Sequence, residues 1–344
     1  MTQRDPSMTD LPRAGVTSPA AAAPGPSRAP QAVRAFRQYR SELAIAAAIL
    51  LIDVVVSFWS PQVFSAGNTA NVAQAAAPLV IMALGELLVV ITGGIDLSVG
   101  STFSLSGMVA GLALGAGWSW PSATLAGLAL GAAVGLVNGL LVTFVGLAPF
   151  VVTLITYAVA GSLAFVITDG HSIAILDPDF WTLNGGALVP GVVNYLLFCL
   201  VGVVGLEWAL RKLVLGRWIY AVGSNDRAAR LLGIPVRGAR CGVYVLSGLL
   251  AAFSSMLSLS YISNAEATSG GNMMLQAIAA CVIGGASLFG GTGSAVGAML
   301  GAMMISVIQN GVNLIGVNSF WQGSVTGLVI LVAVLIDRVT KARA

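Results

Sequence analysis

The sequence predicts an all-α integral membrane protein of about ten transmembrane helices, with both termini in the cytoplasm. Three observations carry that prediction. Hydrophobic residues make up 57% of the 344 positions and charged residues only 8%. Mean hydropathy is +0.92. The basic residues, finally, are confined to three short stretches. A soluble domain carries about a quarter charged residues to solvate its surface. This chain has too few to cover a water-facing surface, so most of that surface must face lipid.

Six of the 16 Lys and Arg residues lie before Ser41 (Arg4, Arg13, Arg28, Arg34, Arg37 and Arg40). Seven lie between Arg211 and Arg240, and the other three are Arg338, Lys341 and Arg343. Cytoplasmic loops retain Lys and Arg, whereas short translocated loops lack them. The N-terminus, the loop near 211–240 and the C-terminus therefore read as cytoplasmic. Each apolar block between them must hold an even number of crossings. The net charge of +3 reflects this bias and gives no reason to invoke nucleic acid.

Residues 1–40 form the first element. Rich in Ala, Pro, Ser and Thr, with no apolar run, they read as a disordered cytoplasmic tail ending in a basic cluster. A cleavable signal is not expected, because the first apolar run begins only after Ser41. From 41 to 340 the chain reads as one transmembrane domain. A helix needs about 20 mostly apolar residues to cross the hydrocarbon. That ruler gives spans near 42–60, 69–92, 97–117, 122–146, 149–168 and 192–210, then 241–262, 273–289, 293–315 and 321–337. The blocks hold six and four spans, both even, as the charges require. Asp169, His171, Asp177 and Asp179 fall in one external loop, 169–191, where Pro178, Phe180 and Trp181 suggest a short surface helix. Glu266 falls in another. Gly131/Gly135 and Gly297/Gly301 have the small-xxx-small spacing that lets helix backbones approach closely. Cys199, Cys241 and Cys281 show no metal or redox spacing and read as small apolar residues.

Three segments carry more than packing. In Ile91-Thr-Gly-Gly-Ile-Asp-Leu-Ser-Val-Gly-Ser101, the pair Gly93 and Gly94 weakens a helix at the end of an apolar run. Asp96 and Ser98 follow, then Gly100. A carboxylate in hydrocarbon costs about 2.5–3.5 kcal/mol. Asp96 should therefore face protein, a cavity or the membrane edge, and it could cap the next helix. A related stretch, Ile283 to Gly293, repeats a Gly-Gly-x-[Asp/Ser]-Leu core with Gly284 and Gly285 in the glycine places, which suggests a weak internal repeat. The third segment is Leu215 to Pro235. Here Gly223-Ser-Asn-Asp226 reads as a turn and helix N-cap, Arg227–Leu232 as a short helix, and Gly233 as its stop. Leu231, Leu232 and Ile234 form an apolar knob suited to a partner's groove.

Asp53, Glu86 and Glu207 lie inside or at the ends of spans with no basic residue to pair with in any span. They must face water, face each other or be protonated. No phosphate-binding loop of the form G-x-x-x-x-G-K-[ST] is present. No catalytic constellation and no metal site can be assembled, and the single His171 reads as a loop residue. The chain is not expected to be an enzyme or to bind a cofactor.

These segments resemble the permease subunits of ribose-type ABC importers over roughly residues 40–340. The resemblance rests on Thr92 to Ser101, on Gly216-Arg-Trp-Ile-Tyr-Ala-Val-Gly-Ser-Asn225 with Ala228 to Pro235, on Gly284 to Gly293, and on Gln309 to Val317, which contains Asn310. It implies a ten-helix permease of the bacterial inner membrane that imports a small-molecule sugar by alternating access. The implied partners are a second permease copy or sister chain, an extracytoplasmic binding protein, and cytoplasmic ATPase subunits that hold ATP and Mg. Gly93, Gly94, Asp96, Ser98, Gly100, Gly284, Gly285 and Asn310 would form the helix break and transport path. Gly216, Arg217, Gly223, Asn225, Arg230, Leu231 and Gly233 would form the ATPase coupling segment. A nucleoside or branched-chain amino acid permease is the nearest alternative. A proton-coupled carrier would use the buried acids instead, but leaves the structured cytoplasmic loop without a role.

Overall fold

The fold is organised around one helix that lipid scarcely touches. A computed structural model of the chain describes residues 40–318 together with 321, 323, 324, 327, 328 and 331. The expected N-terminal tail and the C-terminal basic cluster lie outside the described residues, as does most of the expected span 321–337. The elements are α1 (Arg40–Ser57), α2 (Ala66–Ile91), α3 (Ser98–Gly115), α4 (Trp120–Leu140, continued by a π turn Leu141–Val145) and α5 (Pro149–Val166). After the two-residue strand β1 (Ile173–Ala174) come α6 (Pro178–Gly185), α7 (Asn194–Lys212), α8 (Val214–Ser224) and α9 (Asp226–Leu231). The chain continues with α10 (Val236–Ile262), β2 (Asn264–Ala265), α11 (Ser269–Ile283) and α12 (Ala295–Leu314).

Among the described residues, seven helices are long and apolar enough to cross a membrane: α2, α3, α4 with its π turn, α5, α7, α10 and α12. The other two expected spans are weaker by the same measures. Helix α1 carries Arg40, Glu42 and Asp53, and α11 is 15 residues long. The expected span 273–289 overshoots, because α11 stops at Ile283 and a glycine-rich loop follows.

Every residue of α2 from Ala76 to Ile91 is buried. Helices α7, α10, α11 and α12 pack around it. Pro78 sits inside α2, and its carbonyl accepts the Ser254 hydroxyl of α10 at 2.6 Å. Helices α4, α5 and α7 lie outermost, with under a third of each spanning window buried.

Small residues set the tightest crossings. A Cβ on Gly131 would strike the carbonyl of Gly248, and a Cβ on Gly135 that of Tyr244. Helices α4 and α10 thus meet backbone to backbone, as do α11 and α12 where Gly297 faces Gly284 and Gly301 faces Ala280.

The outer loops meet each other: Ile173 pairs with Ala265 and Ala174 with Asn264, antiparallel. The short surface helix expected in loop 169–191 is present as α6, with Pro178, Asp179, Trp181, Thr182 and Gly185 exposed and Phe180, Leu183 and Asn184 turned inward. Phe180 is fully buried, and Asn184 bonds to Gln74 of α2 and to the Leu257 carbonyl of α10, each at 3.0 Å.

We predict that Gly131→Ala lowers the thermal midpoint of the detergent-purified protein, at a cost of about 1–3 kcal/mol, because rigid backbone occupies the new methyl's place. Gly205→Ala, in the middle of α7 with nothing within 4 Å, should leave the midpoint unchanged or raise it. Equal effects would mean that these crossings are looser than described.

Candidate functional site

The break after α2 is made by the backbone first. The Gly93 N–H donates to the Val90 carbonyl at 2.9 Å and the Gly94 N–H to that of Val89 at 3.0 Å, with Gly93 in the left-handed region at φ +75°. This paired closure satisfies carbonyls at the helix end that would otherwise have no partner. At Gly94, a Cβ would sit 2.8 Å from the Tyr244 hydroxyl.

Asp96 then starts α3. Its Oδ1 accepts the Ser98 N–H at 2.9 Å and the Ser98 hydroxyl at 2.6 Å, while Oδ2 accepts the Ser247 hydroxyl of α10 at 3.1 Å. The Asp96 N–H donates to Glu86 of α2 at 3.3 Å. From Ser98 the chain of bonds continues outward. The Asn138 amide of α4 donates to the Ser98 hydroxyl at 2.7 Å, and Thr156 of α5 donates to the Asn138 carbonyl at 2.6 Å. One polar thread thus joins α2, α3, α4, α5 and α10. All of its members except Thr156 are fully buried. Glu86 Oε2 and the Tyr244 hydroxyl have no hydrogen-bond partner among the described residues. Asn138, Thr156, Ser247 and Tyr244 escaped the sequence reading. A lone Asn in an apolar span was the one signal that could have pointed to the thread.

A second cluster ties the break to the segment Gly216–Gly233. Gly291 donates its N–H to the Ile91 carbonyl at 2.9 Å, and the Tyr220 hydroxyl of α8 donates to the Gly293 carbonyl at 2.6 Å. A Cβ on Gly223 would overlap the Ile91 carbonyl and lie 2.7 Å from the Gly291 nitrogen. Gly290, at φ +89°, packs against Gly93 and the Gly223 carbonyl. Three segments distant in sequence therefore converge at one end of the bundle, opposite the β1–β2 pair.

The segment from Leu215 to Pro235 differs in detail from the expectation. Gly223 and Ser224 are not a turn but the last residues of α8. The cap is Asn225, whose side chain accepts the Ala228 N–H at 3.0 Å, and the short helix α9 runs one residue earlier than expected. Gly233 ends it at φ +77°. Gly216 is needed where α7 turns into α8, since a Cβ there would strike the Ala209 and Leu210 carbonyls. Arg217 and Arg230 are exposed. Leu231 and Leu232 project at 90% and 79% exposure, but Ile234 packs inward beside Val222 and Val236 and is not part of the knob. Phe289, at 93% exposure, adds an apolar side chain on the adjoining loop, which sequence reasoning missed. Asp226 is held below the usual carboxylate range chiefly by its hydrogen bond from Arg230. This pair is therefore intact at neutral pH and is lost only as pH falls through that depressed value.

The remaining positions fall elsewhere. Gly284 meets Gly297 of α12, whereas Gly285, at φ +86°, has open space around it. Asn310 forms a reciprocal amide pair with Asn68 at 2.9 and 3.1 Å. That pair lies near the start of α2, about 35 Å of helix from the break at Gly93. Gly100 packs against Gly270. With Ser101, Ser104, Tyr157, Ser162 and Thr268 it lines an open groove of about 390 Å³ between α3, α5 and the start of α11.

Two expectations need correction. Glu207 does have a basic partner, Arg211 one turn on, and its other oxygen accepts the Ala295 N–H at 2.7 Å, capping α12. The supposed repeat aligns differently in space. Helix α11 closes with Gly285 to Val282 and Ala286 to Cys281, so Gly93 matches Gly285, not Gly284. The same closure ends α3 at Gly117 and α12 at Gly316, so it carries no weight for a repeat.

We predict that Asp96→Ala lowers the thermal midpoint more than Ser247→Ala. The first change orphans two hydroxyls and an N–H, each at about 1–3 kcal/mol, and the second removes a single donor. A Ser247→Ala variant as unstable as Asp96→Ala would place the importance of the thread elsewhere.

The sequence profile of a family described as "Branched-chain amino acid transport system / permease component" matches residues 68–334. The chain is 66% identical over 305 residues to a probable ABC transporter permease protein of Sinorhizobium fredii, covering 89% of this chain and 91% of that one. It is 39% identical over 298 residues to the ribose import permease protein of Escherichia coli, covering 84% and 91% of the two chains. With the D-allose transport system permease protein of Escherichia coli the identity is 32% over 292 residues, covering 84% and 89%. No solved structure is significantly similar to the chain. The chain therefore belongs to the ribose-type family of ABC sugar-importer permeases, multi-pass proteins of the bacterial inner membrane.

Proposed function

We propose that this chain is the subunit through which a sugar or related polyol crosses the membrane inward, by alternating access driven by a partner ATPase. The observation that carries the proposal is the glycine contact between α8 and the end of α2. It gives a push on the cytoplasmic segment a direct route, through Gly223, Ile91 and Gly291, into the central helix. Two ATPase subunits holding ATP and Mg would press on Gly216 to Gly233, with Leu231 and Phe289 as apolar contacts. A binding protein would deliver cargo to the opposite face, where β1 and β2 pair.

The proposed chain topology has ten crossings, with α1 and α11 completing the seven strongly apolar helices and one more in 321–337. Both termini are cytoplasmic, residues 1–40 form a tail, and 41–340 form the permease domain. The groove beside Gly100 is the proposed path. It presents Ser162 and Thr268 beside the ring of Tyr157, with Ser101 and Ser104 buried behind them. A second copy or a sister permease would close it.

A branched-chain amino acid or nucleoside cargo is the second reading, the amino acid favoured by the description of the matching family. The ribose and D-allose relatives support a sugar. Co-reconstitution with the ATPase and binding protein, followed by ATP hydrolysis across a panel of sugars, amino acids and nucleosides, decides between them. Stimulation by one sugar, only with the binding protein present, is the expected result. Uptake that follows a proton gradient without ATP would overturn the proposal.

We predict that Arg230→Glu leaves the protein folded but abolishes stimulation of ATP hydrolysis by loaded binding protein, and that Gly223→Ala abolishes it as well, with a loss of thermal midpoint at least as large as that of Gly131→Ala. Stimulation that survives both changes would remove the coupling role from this segment. Gly94→Leu should impair uptake more than Gly111→Leu. A Cβ at Gly94 lies 2.8 Å from the Tyr244 hydroxyl, whereas at Gly111 it makes ordinary contacts at 3.4 Å.

A further inference from the structure

Three arginines, Arg230 of α9 and Arg237 and Arg240 of the first turns of α10, share a cavity of about 480 Å³ with the loop joining α4 to α5. One wall is the stretch 142–149, and the other holds Arg230, Arg237 and Arg240. Arg230 forks onto Asp226 at 2.9 and 3.1 Å, and Arg240 reaches the same carboxylate at 3.7 Å. Arg237 lies over the Phe144 ring, 6.0 Å from its centre, and pairs with no carboxylate among the described residues. Three guanidinium groups thus face a single acid, and no acidic residue lines the cavity itself.

Two helices also begin there, α5 at Pro149 and α10 at Val236. Neither has a side-chain cap or an acidic residue in its first turn. Their free N–H groups and positive dipole ends add to the field of the arginines. The rim has the opposite character: Phe144, Val145 and Leu147 are exposed apolar side chains where α4 passes into α5, two of the three outermost helices. Guanidinium groups beside an apolar rim, where lipid-facing helices reach the basic side of the membrane, suit an amphiphile with an anionic head.

We infer that this cavity holds the phosphate of an anionic phospholipid from the cytoplasmic leaflet, with an acyl chain against Phe144 and Val145. The lipid bridges the α4–α5 loop and the start of α10, next to the coupling helix α9. A tethered acidic protein segment would satisfy the arginines but not the rim.

The test uses the full permease complex in phosphatidylcholine nanodiscs doped with phosphatidylglycerol, with retained lipid read by mass spectrometry after release. Wild type should retain phosphatidylglycerol over phosphatidylcholine. Retention in Arg237→Gln/Arg240→Gln should fall about thirtyfold, the scale expected for two interfacial basic groups. Asp226→Asn, which releases two guanidinium groups from their carboxylate, should retain more. If the double variant does not match the thermal midpoint of wild type, Arg237→Gln alone carries the comparison. Equal retention by wild type and variant overturns the inference. So does displacement by glycerol 3-phosphate or inorganic phosphate as effective as displacement by the lipid, which would make this a soluble-anion site. A variant that keeps its lipid but loses the ATPase subunit on gel filtration overturns it in favour of a protein contact. None of these readouts depends on which cargo is imported.

Discussion

A main chain that leaves the helix inside a membrane-spanning bundle must find its hydrogen bonds within the protein. The interruption from Thr92 to Leu97 is where this chain meets that demand, and much of the architecture follows from how it does so. Left-handed Gly93 closes the end of α2 on its own carbonyls. Asp96 opens α3 and at the same time holds Ser247 of α10. Ser98, itself bound to that carboxylate, holds Asn138 of α4. A buried carboxylate is costly unless its oxygens are occupied, and here three donors occupy them. Two of the helices it gathers, α4 and α10, also meet backbone to backbone at Gly131 and Gly135, so at that crossing the polar thread and the glycines act together.

Much of this was legible in the sequence because the bilayer imposes simple rules. Length and hydropathy located nine helices close to their observed places, and the basic stretches assigned loops to sides. The structure places the stretches 92–97, 213–235 and 284–294 together at one end and pairs β1 with β2 at the other. The glycine pairs Gly131/Gly135 and Gly297/Gly301 read as close crossings and are so.

Contacts between residues far apart in the chain were not legible. Gly223 looked like a turn residue because glycine in a polar stretch usually is one. Its real constraint is the Ile91 carbonyl, which no local pattern announces. Glu207 looked unpaired because Arg211 lay just past the assumed end of the span, yet one helical turn joins them. The repeat was misaligned by one residue because glycine spelling was matched and not the position of the left-handed residue. Asn310, placed by motif beside the helix break, instead tethers the far end of α2 to α12. In each case local spelling marked a residue under constraint and did not show what imposes that constraint.

The proline inside α2 has a mechanical consequence. The stretch from Pro78 to Ile91 is about 20 Å of unbroken helix, with a weakened joint at one end and the glycine closure at the other. A tilt of about 10° at the upper joint displaces the lower end by roughly 3–4 Å, on the order of one side chain. That rod cannot swing by itself, since it is walled in along its whole length. The Ser254 hydroxyl pins its proline carbonyl to α10, and the Cys281 thiol meets the Ala83 carbonyl from α11 at 3.3 Å. Any stroke delivered at Ile91 must therefore carry α2, α10 and α11 as a single block against the outer helices.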